Sequence, residues 1–228
     1  MGKMCNSAAM NEVSENLKIV QDKIAKVARE YKRAPDDVRL VAVSKMQEPE
    51  KILAALAAGQ RVFGENRVQE AHSHWAALKQ QYPDIILHLI GPLQTNKAKD
   101  AVALFDVIES VDRPEIVQAL AKEMKKQGRD LPCFVQVNTG AEEQKAGVFP
   151  ESLPALLALC KQEGLRVEGL MCIPPVDEPP ALHFAFLRKL AQEQNLPCLS
   201  MGMSGDYEKA IPLGATHVRV GTAIFGER

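Results

Sequence analysis

Apolar positions along the chain change period as it proceeds. Val13, Leu17, Val20, Ile24, Val27 and Tyr31 recur at spacings of four and three, the stripe of an amphipathic helix. From Val38 the pattern turns into short apolar runs: "VRLVAVS", "RVFGE", "ILHLIGP", "DVIESV", "CFVQVN", "RVEGLM", "CLSMG" and "HVRVG". Runs without strict alternation read as strands covered on both faces, as in a parallel sheet. Between them stand helical stretches: "EPEKILAALAAG", "NRVQEAHSHWAALKQQ", "RPEIVQALAKEMKKQG", "FPESLPALLALCKQEG" and "PALHFAFLRKLAQEQN". Several close on Gly or Asn, where a left-handed C-cap is expected. Strands alternating with helices imply right-handed crossovers. Eight such units in about 220 residues fit a closed (β/α)8 TIM barrel of about the smallest size, with an extra N-terminal helix. A doubly wound open sheet is the alternative architecture. No long linker interrupts the pattern, so one domain over residues 1–228 is expected, residues 1–12 forming a flexible N-terminus. The proline-rich "PPVDEPP", residues 174–180, fits a loop between a strand and its helix.

Composition narrows the function. The 228 residues carry 28 basic and 29 acidic side chains, a net charge of −1, so no field is present to hold nucleic acid or an anionic membrane. The five cysteines are odd in number and scattered, which reads as reduced thiols. No apolar run approaches the roughly 20 residues of a membrane span. The start "MGKMCNSAAM" lacks a signal-peptide apolar segment and has Asn6 where a myristoylation signal has Ser or Thr. A cytoplasmic protein is expected.

Candidate chemistry gathers at the carboxyl ends of the strands, the face where barrels bind ligands. Lys45 ends the first strand. Such a lysine ordinarily snorkels to water; partly desolvated, it becomes an amine able to attack an aldehyde. "FGENRVQE" places Asn66 after the second strand, and its spacing from Gln69 also suits a capping box. His88 lies inside the third strand, where a hydrogen-bonded core histidine is the plain alternative. "VNTGAEEQKAG" brings Asn138 and Lys145 after the fifth strand, ordinarily a solvated loop. No His, Cys and carboxylate cluster has metal spacing, and GxSxG is absent. "LSMGMSGD" and "VRVGTAIFG" then set Ser204 and Gly205, and Gly221 and Thr222, at the ends of the seventh and eighth strands. Barrels commonly bind phosphate there, using backbone amides and hydroxyls. A lysine on strand one facing a phosphate cup describes a pocket for an aldehyde that carries a phosphate, such as pyridoxal 5′-phosphate.

The ordered motifs "AVSK", "FGENRVQE", "HLIGPLQTNK", "GLMCIP", "LSMGMSGD" and "VRVGTAIFG" resemble those of the pyridoxal phosphate homeostasis proteins, which look like the alanine racemase barrel domain standing alone. The resemblance implies pyridoxal 5′-phosphate as cofactor, held as a Schiff base on Lys45. Ser204, Gly205, Gly221 and Thr222 would serve its phosphate and Arg219 its pyridine nitrogen, while Asn66, His88 and Met203 would line the pocket. It implies a monomer that buffers or delivers the cofactor, with apo forms of cofactor-dependent enzymes as recipients and Lys145 as a candidate helper. Two departures stand out. Gln47 replaces a second lysine found in many relatives, and the 174–180 loop is shorter than in many members. An always-charged guanidinium beside the ring nitrogen leaves that nitrogen unprotonated, a poor electron sink. Racemisation tolerates this but needs two acid/base groups on opposite faces of the substrate. A residual amino-acid racemase using Lys45 with solvent or Tyr207 is the enzymatic alternative; Tyr207 reads more simply as the first turn of a short helix.

Overall fold

The computed structural model describes the backbone of residues 2–227 and the side chains of residues 11–227. Eight parallel strands close into a barrel in chain order. They are β1 (Arg39–Val43), β2 (Val62–Glu65), β3 (Ile86–Leu89), β4 (Val107–Val111), β5 (Cys133–Gln136), β6 (Val167–Met171), β7 (Cys198–Ser200) and β8 (His217–Val220). Closure comes from β8 pairing with β1, with Val41 opposite Arg219, which rules out the open sheet. Helix α1 (Gly2–Glu30) precedes the barrel. Then α2 (Pro49–Ala57) follows β1, α3 (Val68–Trp75) and α4 (Leu78–Gln81) follow β2, α5 (Ala98–Leu104) follows β3 and α6 (Pro114–Gln127) follows β4. Strands β5 to β8 are followed in turn by α7 (Leu153–Gln162), α8 (Pro180–Glu193), α9 (Tyr207–Ala210) and α10 (Thr222–Phe225).

Three details differ from the sequence reading. The described backbone is helical from Gly2, an element longer at its start than the stripe beginning at Val13 indicated; the thiol of Cys5 lies outside the described side chains. The buried stripe of α1 is Val13, Leu17, Val20, Ile24 and Ala28, while Tyr31 falls beyond the helix and is exposed, because the chain turns at Lys32 with φ 57°. Helix α5 escapes the pattern because two of its three buried residues are alanines, Ala98 and Ala101 beside Val102. Helix α6 shows the usual logic: Ile116, Val117, Leu120 and Met124 are buried at helical spacing, and Gly128 at φ 64° ends it.

Alternation along the strands separates two cores. Leu87, Ile108, Val135, Leu170 and Leu199 point to the layer between sheet and helices. Their neighbours Val107, Phe134 and Met171, with Ile86 and Cys198 packed on them, form a smaller cluster inside the barrel. Two residues further along, the same inward parity places His88, Glu109 and Ser200 above this hydrophobic plug, with His217 and Arg219 on β8. A barrel interior is a set of stacked layers, and here the layer beneath the mouth is polar.

Candidate functional site

A cavity of about 420 Å³ opens at the carboxyl ends of the strands. Lys45 enters it just beyond β1, beside Val43. Asn66 contributes from the loop after β2, Met203, Ser204 and Gly205 from the loop after β7, and Arg219, Gly221 and Thr222 from β8 and the turn that starts α10. Eight of the nine residues that the sequence assigned to the cofactor therefore line one cavity.

His88, the ninth, does not line it. Ile90, two residues on, occupies the wall, and the His88 ring lies one layer deeper, fully buried. Asn66 is not a helix cap either. The N-cap of α3 is Arg67, and no side chain caps it. Asn66 is held by close backbone approach instead: a Cβ on Gly91 would sit 2.3 Å from the Asn66 carbonyl oxygen.

The turn after β1 is pinned from two sides. Ser44 donates its hydroxyl to Glu65 at 2.7 Å, and the Met46 amide donates to Glu70. Met46 has φ 56°, a left-handed conformation that a non-glycine residue adopts at a cost of about 1 kcal/mol or more. The lysine between them is thus presented by strained, anchored backbone. Glu65 is itself buried, accepts from the Trp75 indole at 3.0 Å and meets His74 Nδ1 at 3.1 Å. Ligand atoms of Glu65, Glu70 and His74 lie within 4.8 Å of one another, a cluster that chain spacing did not reveal because Glu65 ends a strand while the other two lie on α3. Ser44 engages Glu65 Oε1 and the Met46 amide engages Glu70, while Glu65 Oε2 is buried without a hydrogen-bond partner among the described residues.

At the opposite wall Ser204 draws two loops together. Its Oγ accepts from the Gly221 amide at 3.1 Å and from the Ala223 amide at 3.4 Å. Gly202, at φ 94°, permits the approach of its loop to α9; a Cβ there would lie 2.8 Å from that of Ala210. The result is a cluster of amide and hydroxyl donors with no carboxylate among the described lining residues, which suits a phosphate.

Beneath the mouth lies a buried relay. Arg219, only 4% exposed, donates from Nη1 to Ser200 Oγ at 2.6 Å and from Nη2 to the Cys172 carbonyl at 2.8 Å. Ser200 donates its own O–H to Glu109 at 2.6 Å, and the other Glu109 oxygen meets His88 Nδ1 at 2.6 Å. An ionised carboxylate only accepts, so Nδ1 carries a His88 proton; Nε2 has no hydrogen-bond partner among the described residues. Burial alone raises the pKa of Glu109, but the hydrogen bond and charge of His88, then the charges of Arg219 and His217, outweigh it and hold the carboxyl at about 2. Burial pushes His217 the other way, down to about 4. Two hydrogen bonds leave three of the five Arg219 N–H donors for a ligand. Glu109 and Ser200 were not singled out in the sequence. The signal was present: a carboxylate inside an apolar strand is almost never fully buried unless paired.

Lys145 reaches the same cavity from the loop after β5, paired with Glu142 at 2.7 Å. Asn138 shapes that loop by donating to the Glu142 carbonyl at 2.7 Å. Gln47 is buried and off the cavity. The short 174–180 loop packs Pro175 on Gly140, where a Cβ would meet it at 2.3 Å, and Glu178 meets His183 at 3.1 Å. Tyr207 is the first residue of α9, buried and outside the cavity lining, and burial, then the nearby Glu208, push its hydroxyl up to about 12.

The family described as the alanine racemase N-terminal domain matches residues 16–228 of this closed barrel. An alanine racemase of Clostridium difficile shares the fold, with TM-score 0.72 at 17% identity over 96% of this chain and 57% of that one. Closer likeness lies elsewhere. The pyridoxal phosphate homeostasis protein of Pseudomonas aeruginosa is 44% identical over 227 residues, 96% of this chain and 97% of the relative. That of Escherichia coli is 36% identical over 96% and 98%. The structure of PipY from Synechococcus elongatus with pyridoxal phosphate bound has TM-score 0.81 at 37% identity, over 94% of this chain and all of that one. The chain belongs to the family of pyridoxal phosphate homeostasis proteins. No helix among the described residues is long and apolar enough to cross a membrane.

Proposed function

We propose that the barrel mouth holds pyridoxal 5′-phosphate through Lys45 and that the protein buffers and delivers this cofactor in the cytoplasm, as a monomer, to apo-enzymes that need it. The observation that carries the reading is the convergence of Lys45, the Ser204, Gly221 and Thr222 donors, and Arg219 on one cavity. Pyridoxal phosphate supplies an aldehyde that condenses with a primary amine, a dianionic phosphate and a ring nitrogen. The residues fit each part. Lys45 offers the amine from an anchored turn. The Ser204 and Thr222 hydroxyls and the amides around Gly205 and Gly221 take the phosphate. Arg219, fixed from below by Ser200 and Glu109, donates to the ring nitrogen, and Asn66 and Met203 flank the ring.

Binding without turnover is favoured by what the wall lacks. Its titratable side chains, among the described residues, are Lys45, Lys145 and Arg219, with no tyrosine, histidine or carboxylate. Arg219 is always charged, and Lys145 is engaged by Glu142. The wall thus has no ready second acid/base group for racemisation, and Tyr207 does not face the cavity.

The test is borohydride reduction of cofactor-loaded protein followed by peptide mapping. The cofactor is expected on Lys45, and Lys45→Ala is expected to lose the adduct while melting within about 2 °C of the parent, since a mouth-facing side chain contributes little packing. Fixation mainly on another lysine of the parent overturns the assignment. Rapid solvent-deuterium uptake into an L-amino acid by loaded protein would overturn the non-catalytic reading.

A further inference from the structure

A second cavity, of about 560 Å³, adjoins the cofactor pocket and shares Asn66 and Pro92 with it. Its walls come from "ENRVQ" and "GPLQTNK", stretches the cofactor pocket uses only at Asn66, Gly91 and Pro92. Three cations, Arg67, Lys97 and Arg113, line it together with Gln69 and Gln94, and no carboxylate is among its described lining residues. In a chain of net charge −1 this is a local concentration of one sign. Arg113 is spoken for, bonded to Asp112 at 2.7 Å and to the Leu93 carbonyl at 2.9 Å, and so is fixed in place. For Arg67 and Lys97, by contrast, the structure gives neither side chain a hydrogen bond or ion pair among the described residues. Arg67 is also the N-cap of α3, and no side chain caps that helix. Two charged donors, with a third already paired to Asp112, around a pocket of small-molecule size suit a ligand carrying about two negative charges.

We propose that this cavity is a binding site for a small dianion of the phosphomonoester class, lying at the edge of the cofactor pocket and separate from the Ser204–Thr222 cup. Arg67 and Lys97 supply the charge-assisted hydrogen bonds, and Arg113 fixes the wall. Asn66, common to both cavities, is the contact through which occupancy of one reaches the other. The chemistry has two sources, free inorganic phosphate or the phosphate of a phosphorylated metabolite.

The experiment titrates cofactor-loaded, borohydride-reduced protein, whose first cup is covalently filled, with inorganic phosphate and separately with pyridoxamine 5′-phosphate, followed by calorimetry and phosphorus NMR. Saturable binding of one equivalent is expected. It should weaken at least about tenfold in the Arg67→Ala/Lys97→Ala double variant and fall as salt is raised. That variant is expected to melt like the parent, since the structure shows neither side chain in an internal bond. Equal affinity for the two probes assigns recognition to the phosphate alone; tighter binding of pyridoxamine phosphate assigns the site to a phosphorylated metabolite. Absence of saturable binding, or binding that the double variant retains, overturns the proposal. If the protein takes no covalent cofactor, the cofactor reading fails by itself. The Arg67- and Lys97-dependent component, measured then on untreated protein with Ser204→Ala as control for the first cup, still decides this one.

Discussion

Glu109→Gln should destabilise the protein strongly near neutral pH and hardly at all in acid. The substitution keeps shape and volume but replaces a buried carboxylate that accepts from His88 and Ser200, each at 2.6 Å, and lies 4.0 Å from Arg219. An amide oxygen can replace one acceptor, while its NH2 is turned against a donor. The Arg219 guanidinium, 4% exposed, then loses its counter-charge in the barrel interior. Removing one partner of a buried ion pair costs about 3–5 kcal/mol. The pKa gives an independent figure. Holding the carboxyl at about 2 rather than 4.5 corresponds to roughly 3 kcal/mol favouring the ionised folded state. A depressed carboxyl pKa stabilises above the unfolded value and loses that contribution as pH falls through the folded one. The parent's advantage should therefore be complete above about pH 4.5 and fade toward about pH 2. Urea unfolding of both proteins across this range measures it. A loss below about 1 kcal/mol at neutral pH, or a loss that does not shrink with acidification, refutes the reasoning.

His217→Gln should act in the adjacent window: burial holds the parent histidine at about 4, so parent stability falls between about pH 6.5 and 4 by roughly 3 kcal/mol, and the variant's pH profile should be flatter there by urea unfolding. Gly91→Ala should cost about 2 kcal/mol or more and weaken cofactor retention, because the new methyl meets Asn66 backbone at 2.3 Å and backbone cannot swing aside as a side-chain tip does; unchanged urea and retention curves would count against the close approach. Lys145→Ala should slow cofactor transfer from loaded protein to an apo-enzyme several-fold if the second lysine in the cavity takes part by exchanging amines; an unchanged rate removes it from the path.

The barrel was legible because a parallel sheet buried on both faces leaves near-continuous apolar runs, and all eight runs became strands. Helix α5 was not, because Ala98 and Ala101 give a weak apolar signal. At the mouth, strand ends carried the information: a lysine after β1, and small residues with hydroxyls after β7 and β8. His88 is the hydrogen-bonded core histidine of the plain residue reading, whereas the resemblance put it on the pocket wall. A sequence shows that a histidine lies in a strand, whereas its depth depends on register, and here Gly64 and Val107 pair beside it below the wall formed by Ile90. Partners distant in sequence were the least legible. Glu109 and Ser200 lie 91 residues apart; β7 pairs directly with β8, so Ser200 sits beside the Arg219 strand, and Glu109 on β4 meets them only across the barrel interior.

That missing partner changes what can be asked of Arg219. Ring chemistry considered alone suggests Arg219→Glu, since a carboxylate beside the pyridine nitrogen would favour the protonated ring and strengthen the electron sink. The structure sets a condition. Glu109 is only 4.0 Å from the guanidinium, so the single replacement would face two carboxylates in a layer shut off from water, with the cation that balances them removed. One of them would take up a proton or the layer would open. In either case the variant reports repulsion in the floor as much as chemistry at the ring. The informative construction changes the relay as a unit, Arg219→Glu with Glu109→Gln. The new side chain then has no second carboxylate at position 109 to face, and it starts from the strand position whose guanidinium now meets Ser200. If slow transamination of alanine by loaded protein emerges in the double variant and is absent in Glu109→Gln alone, Arg219 is what keeps this barrel unreactive. If both are equally inert, the missing second acid/base group suffices to explain it.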